Sequence, residues 1–239
     1  MSGTLIAAGT SAERATGRAR AARQQALADA RRSMVLTAAR SAFLELGLEG
    51  ASLREIAKRA GYTPGAIYSY FDSKEAVYCA LLGESLERLS QHVDATAPQA
   101  SIAAGTAATQ REAQDTVRNK ASAFFDFYRQ NPRDLDLGFC LFHSMQPRGL
   151  THALNEQLNA RLRGALAPIG DGLVALGLSR DEAQVEQTAL FAHIAGLLLL
   201  SHTGRIRMLR QASQALFERY LDALLARVAS LRKARGTKP

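Results

Sequence analysis

Residues 52–75 read SLREIAKRAGYTPGAIYSYFDSKE, and the order of caps and apolar positions within them decides the fold. Ser52 and Glu55 have the spacing of a capping box, in which hydroxyl and carboxylate satisfy orphan backbone donors at a helix start. Leu53, Ile56, Ala57 and Ala60 then share one face of a short helix that ends at Gly61. Thr63 stands as N-cap before Pro64 at the first helical position, a strong restart signal. The new helix, residues 64–71, buries Ile67 and Phe71. Ser73 caps another, with Tyr78, Leu82, Leu86 and Leu89 on one stripe. Upstream, a 3.6-residue period from Asp29 sets Leu36, Ala39, Phe43 and Leu46 on one face, and Gly47 marks the C-terminus. Three short helices, the last two joined by a tight glycine-containing turn, follow a helix-turn-helix plan; a plain helical hairpin shares that outline.

Beyond this segment the reading stays helical. Residues 1–28 are rich in Ala, Arg, Gly, Ser and Thr and imply a mobile basic arm, helical from about Arg18. Residues 95–110 read as a loop. Helices are expected over 111–130, 133–145 and 151–176, with Gly177 as C-cap, and from a second capping box at Ser179–Glu182 to about His202. A last helix is expected from about Arg207 to Leu231. No strand pattern or internal repeat occurs, so the chain reads as all-α. The expected division is an arm (1–28), a helix-turn-helix domain (29–75), a helical domain (76–232) and a basic tail (233–239).

The 239 residues carry 47% hydrophobic and 22% charged side chains, the balance of an ordinary globular protein rather than a disordered chain. No uninterrupted apolar run approaches the ~20 residues of a membrane span, and no secretory signal is evident, so the expected location is cytoplasmic, with no membrane partner. Lys and Arg exceed Asp and Glu by 4 over residues 1–75, fall one short over 76–222 and exceed them by 5 over 223–239. A basic N-terminal third suits a polyanion.

Catalysis finds no support. There is no glycine-rich phosphate loop, GxSxG or HExxH. His193 and His202, nine apart on one helix, point to opposite faces, and His143 and His152 are a weak pair, so neither a metal nor another cofactor is expected. Cys79 and Cys140 form no CxxC or CxxH arrangement, which excludes a zinc finger or disulfide scaffold. Two alternatives remain open: thiol redox sensing through Cys79 or Cys140, and non-specific DNA binding by the basic ends.

The block 52–75 resembles the TetR family of bacterial transcription regulators. The resemblance rests on Ile56-Ala57, Ala60-Gly61, Gly65, Tyr68-x-Tyr70-Phe71 and Lys74-Glu75, with Ala38-Ala39 through Phe43 to Gly47 as the family's first helix. It covers roughly residues 32–80; Tyr62 and Pro64 depart from the family's commonest choices. It implies an N-terminal three-helix DNA-binding domain, a C-terminal helical bundle that binds a ligand and dimerises, and regulation of transcription, usually repression. Thr63–Tyr70 would be the recognition helix in the major groove. Thr63, Pro64, Gly65 and Ala66 lie at its base-contacting end, Ser69 and Tyr70 reach bases or phosphates, and Ser52, Tyr68 and Lys74 meet phosphates. Arg14, Arg18, Arg20, Arg23, Arg31 and Arg32 are further candidates for DNA contact, equally well explained as a solvated tail.

For the C-terminal part, residues 182–202 are apolar on all sides, which calls for a core on one face and a second subunit on the other. Ala192, Gly196, Leu199 and Leu200, with Phe217, Leu221, Leu224 and Val228 on the last helix, are the expected homodimer contacts. The family resemblance adds a four-helix bundle between copies, a palindromic double-stranded operator and a small-molecule effector that lowers DNA affinity. Phe124, Phe127, Tyr128, Phe139, Phe142 and His143, with Phe191 and His193, are candidate linings for a lipophilic effector; core packing explains the same aromatics.

Overall fold

The computed structural model describes residues 5–96, 106–139 and 150–236, with side chains over 16–96, 109–138 and 150–233. All regular structure among them is helical. They divide into two compact units, one ending at Leu81 and the other beginning at Leu82.

The first unit contains α1 (Leu5–Gly50), α2 (Leu53–Ala60), α3 (Pro64–Tyr68) and the start of α4 (Lys74–Ala95). α1 breaks at Gly47, whose φ of 71° lies in the left-handed region. Its helix begins at Leu5, well before Arg18. The expected mobile arm weighed the missing apolar face, whereas Ala, Arg and Gln have high helix propensity and no proline intervenes. Val35, Leu36, Ala39 and Phe43 of α1 pack with Ile56, Ala57, Ile67, Val77 and Tyr78, all fully or almost fully buried. Phe43 meets Tyr78 edge to face, with ring centroids 6.0 Å apart. Leu46, expected inside, is 36% exposed.

The second unit continues α4 and adds α5 (Thr106–Gln130), α6 (Pro132–Phe139), α7 (His152–Ala175), α8 (Arg180–His202), α9 (Arg205–Met208) and α10 (Ser213–Gly236). α5 starts earlier than expected, because the Ala/Thr/Gln run before Arg111 is helical. α10 starts later: a turn through Gly204 and the positive-φ Arg210 isolates α9, of which only Ile206 is buried. Ser179 and Glu182 complete the expected capping box at α8. α5 and α7 cross closely at Gly172, where a Cβ would lie 2.7 Å from Val117 Cγ2.

Two buried charges fix α4 within this unit. Lys120 Nζ donates to the carbonyls of Val93 at 2.8 Å and Asp94 at 3.2 Å, closing the C-terminal end of α4 where cations are favoured. Arg88 of α4 donates to the buried carboxylate of Asp134 at 2.7 Å. Burial, and secondarily the Asp134 charge, push the Tyr128 hydroxyl well above the ordinary tyrosine range.

By length and composition α8 is apolar enough to cross a membrane, with a mean hydropathy of 1.3 over its most apolar 18 residues. Charged and polar residues punctuate the helix, so it holds no uninterrupted apolar run of that length. A core helix of a bundle meets the same description, so this is weak evidence for a span.

Candidate nucleic-acid interface

The turn between α2 and α3 is built from the backbone upward. Gly61 is left-handed at φ 72°, and its N–H bonds the Lys58 carbonyl while that of Tyr62 bonds Ala57, the paired bonds of a Schellman motif. Two residues later Thr63 restarts the chain: its Oγ1 accepts from Ala66 N at 3.3 Å, with Pro64 at the first position. Ser52 Oγ accepts from Glu55 N at 3.2 Å and caps α2 in the same way.

α3 presents one buried side chain, Ile67, and a largely open opposite surface. Thr63, Pro64, Gly65, Tyr68 and Ser69 are exposed, while Ala66 and Tyr70 are half-buried. Tyr68 is 57% exposed. A Cβ added at Gly65 would meet no protein atom within 4 Å, so packing does not demand this glycine and a partner can approach the backbone closely. Ser69 Oγ already donates to the Ala66 carbonyl at 2.7 Å, which leaves its oxygen as an acceptor. Helix α3 is shorter than expected, ending at Tyr68.

Lys74 is placed differently from the other candidates. Its Nζ donates to the carbonyls of Leu48 at 2.8 Å and Glu49 at 3.1 Å, tying the start of α4 to the end of α1. An ammonium has three donors, so one remains for a phosphate. This second role was missed because no local spacing links residues 26 apart.

Two further supports were invisible in sequence. Arg59 donates to Glu55 Oε1 and Glu45 Oε2, each at 2.7 Å, joining α2 to α1. The hydrogen bond from Arg59 holds the Glu55 carboxyl below its ordinary pKa. The Arg32 guanidinium stands 5.2 Å over the Phe71 ring, beside the chain that leaves α3.

The C-terminal candidates separate into inward and outward groups. Ala192, Gly196, Leu199 and Leu200 are exposed on α8, in line with Val185, which is 67% exposed. Phe217, Leu221, Leu224 and Val228 are at most 1% exposed within the single chain, so they pack in its own core and have no surface for a second copy. That corrects the expectation for α10: its apolar stripe faces inward, and small residues such as Ala215, Ala223 and Ala226 face outward. Of the aromatic candidates, Phe124, Phe127 and Tyr128 are buried; Phe124 meets Tyr128 and Phe191 edge to face at 5.4 and 5.9 Å. The His193 ring stacks on Tyr220 at 4.0 Å, its buried Nε2 without a hydrogen-bond partner. The Phe139 side chain, Phe142, His143 and Cys140 lie outside the described residues. Cys79 is buried.

The pattern of bacterial regulatory proteins of the tetR family matches residues 35–81, which holds α2, α3 and the start of α4. The transcriptional activator FasR of Mycolicibacterium smegmatis is 32% identical over 111 residues, 46% of this chain and 46% of that protein. The transcriptional repressor AcnR of Corynebacterium diphtheriae is 38% identical over 63 residues, 26% of this chain and 33% of that protein. The matched stretches thus span half or less of these relatives, which are regulators rather than enzymes. FadR of Bacillus subtilis, solved in complex with stearoyl-CoA, shares the fold over 81% of this chain and 97% of its own, with 18% identity and a TM-score of 0.55. Residues 35–81 thus carry the DNA-binding pattern of the tetR family of bacterial regulatory proteins, within an all-helical fold shared with FadR of Bacillus subtilis.

Proposed function

We propose that the protein acts in the cytoplasm as a homodimeric, ligand-released repressor on a palindromic operator. The observation that carries the reading is the open face of α3: a Thr63-capped, proline-started helix with Thr63, Pro64, Gly65 and Tyr68 exposed beside its N-terminal end. N-terminal residues of such a helix meet base edges in the major groove. Phosphate contact falls to Tyr68, the Ser52 turn and the remaining donor of Lys74.

Dimerisation is supported by the outward stripe of α8, where Val185, Ala189, Ala192, Gly196, Leu199 and Leu200 recur at three- and four-residue intervals and are exposed. A second copy covering that stripe, with the small outward residues of α10, would set two recognition helices about 34–36 Å apart or a multiple of it. Residues near Phe124, Tyr128 and Phe191 favour an apolar effector.

The test is selection from random duplex DNA at physiological salt, beside a Tyr68→Ala control. One enriched palindrome, lost in the control, supports the reading; binding that ignores sequence and only fades with salt refutes it. A panel of lipophilic compounds that includes stearoyl-CoA, the ligand of the Bacillus subtilis neighbour, is then screened for release of the selected DNA and a raised melting temperature.

A further inference from the structure

Residues 16–27 of α1 have no apolar face to bury. Every residue from Thr16 to Leu27 is exposed, and Leu27 itself is 59% exposed. A helix that is polar all round needs a partner or many internal pairs to hold it. Internal pairs are scarce: over residues 16–32 the one acid is Asp29, already bonded by Gln25 at 2.9 Å. Arg20, Arg23 and Arg31 make no ion pair or hydrogen bond among the described residues.

These arginines are also ordered in direction. Arg20, Arg23, Leu27, Arg31 and Met34 follow one another at intervals of three and four, so they share one face of α1. That face has a fixed destination. The hydroxyl of Tyr62 lies 3.7 Å from Met34 Sδ, and Tyr62 directly precedes Thr63, the N-cap of α3. The arginine stripe therefore leads down α1 to the N-terminal end of the recognition helix. Arg18 falls on the opposite side of the helix, and Arg32 turns to Phe71.

We infer that Arg20, Arg23 and Arg31 form a second DNA contact, binding backbone phosphates of the duplex next to the base pairs met by α3. The inference rests on the DNA-binding reading and deepens it. The eleven helical steps from Arg20 to Arg31 extend about 16 Å along the helix, enough to pass several phosphates of one strand. Phosphate contact would neutralise the mutual repulsion of the arginines and give the exposed helix its partner. It adds affinity and salt dependence without changing which bases are read.

The test compares the full-length protein with the triple variant Arg20→Gln/Arg23→Gln/Arg31→Gln and with Arg18→Gln. Binding is followed by fluorescence anisotropy over a KCl series, on the selected site alone and on the same site extended by about ten base pairs at each end, roughly one turn of the duplex. On the extended duplex the triple variant should lose at least about tenfold in affinity, and its salt slope should shrink by about 0.9 for each phosphate released. On the short duplex it should stay within about twofold of the parent, and Arg18→Gln should behave as the parent on both. An unchanged slope and affinity on the extended duplex overturn the inference, as does an equal loss per charge in Arg18→Gln. If the parent protein enriches no palindrome, the recognition-helix reading fails separately. The stripe is then judged on any long duplex: a smaller slope in the triple variant supports it, and an equal slope overturns it.

Discussion

Replacing Lys74 with Met should lower stability first and DNA affinity second, because the ammonium already holds two carbonyls at the end of α1. Hydrogen bonds to a charged group contribute about 1.5–3 kcal/mol when sheltered and less when wet. The Leu48 bond is part-buried and the Glu49 bond exposed, so their sum is taken as about 2 kcal/mol. Methionine keeps the stem packing and leaves the Leu48 carbonyl without its donor. For a chain of this size the loss corresponds to a fall of about 4–8 °C in melting temperature. Lys58→Met, at an exposed position on α2, should stay within about 0.5 kcal/mol of the parent. Tyr68→Phe supplies the opposite case: its side chain is 57% exposed, so stability should hold while affinity for the selected DNA falls about tenfold, the equivalent of one lost phosphate hydrogen bond. Urea unfolding and anisotropy titrations on the three variants separate the effects. If Lys74→Met unfolds with the parent yet weakens DNA binding as much as Tyr68→Phe, Lys74 is a phosphate ligand and its carbonyl bonds contribute nothing measurable.

Gly172→Ala should destabilise the parent by about 1–2 kcal/mol, because the new Cβ falls 2.7 Å from Val117 Cγ2. In a Val117→Ala background the same change should stabilise by up to about 1 kcal/mol through helix propensity, and equal effects in both backgrounds would refute the close crossing. Burial holds the His193 pKa below its ordinary value of 6.5, so the folded ring is neutral and the unfolded chain takes up the proton first. The corresponding stability is complete above about pH 6.5 and declines as pH falls toward the folded pKa; His193→Phe should flatten that part of the stability–pH curve. Gly196→Ala adds a Cβ with no atom of its own chain within 4 Å, so the isolated helix should gain about 1 kcal/mol. A second copy packed on that face would be pushed away, and sedimentation should show a dimer dissociation constant raised about tenfold; unchanged self-association counts against the α8 interface.

The helix boundaries within residues 52–75 were legible because the devices that set them are local. Ser52, Gly61, Thr63 and Pro64 act on backbone groups within five residues, and local chemistry at such positions leaves few alternatives. The same holds for the Ser179 capping box. What escaped was long-range or isotropic. Lys74 and Lys120 hold carbonyls 25–27 positions away, and nothing in a linear pattern pairs a lysine with a distant helix end. The stripe of Phe217, Leu221, Leu224 and Val228 has the period of an inward face and of a subunit interface alike; burial decides for the inward face. The onset of α1 carries no such mark, because an Ala/Arg helix has propensity without a hydrophobic pattern.

These long-range bonds define what α4 can do. Lys74 fixes the beginning of the helix to α1, Arg161 donates to the Gly83 carbonyl at 3.1 Å, Arg88 holds Asp134, and Lys120 closes the final turn. Within the second unit the anchors at Gly83, Arg88 and Val93 recur about every one and a half turns, so that stretch of α4 resists bending. An effector in the second unit that displaces one of these anchors would shift this stretch of α4. The energies are compatible. Each charge-assisted anchor contributes about 1–3 kcal/mol, and an allosteric coupling of 1–3 kcal/mol lowers DNA affinity about five- to 150-fold. A ligand that exchanges a single anchor for a contact of its own has enough differential energy to release the operator, whereas one that binds both states equally has none, however tightly it binds.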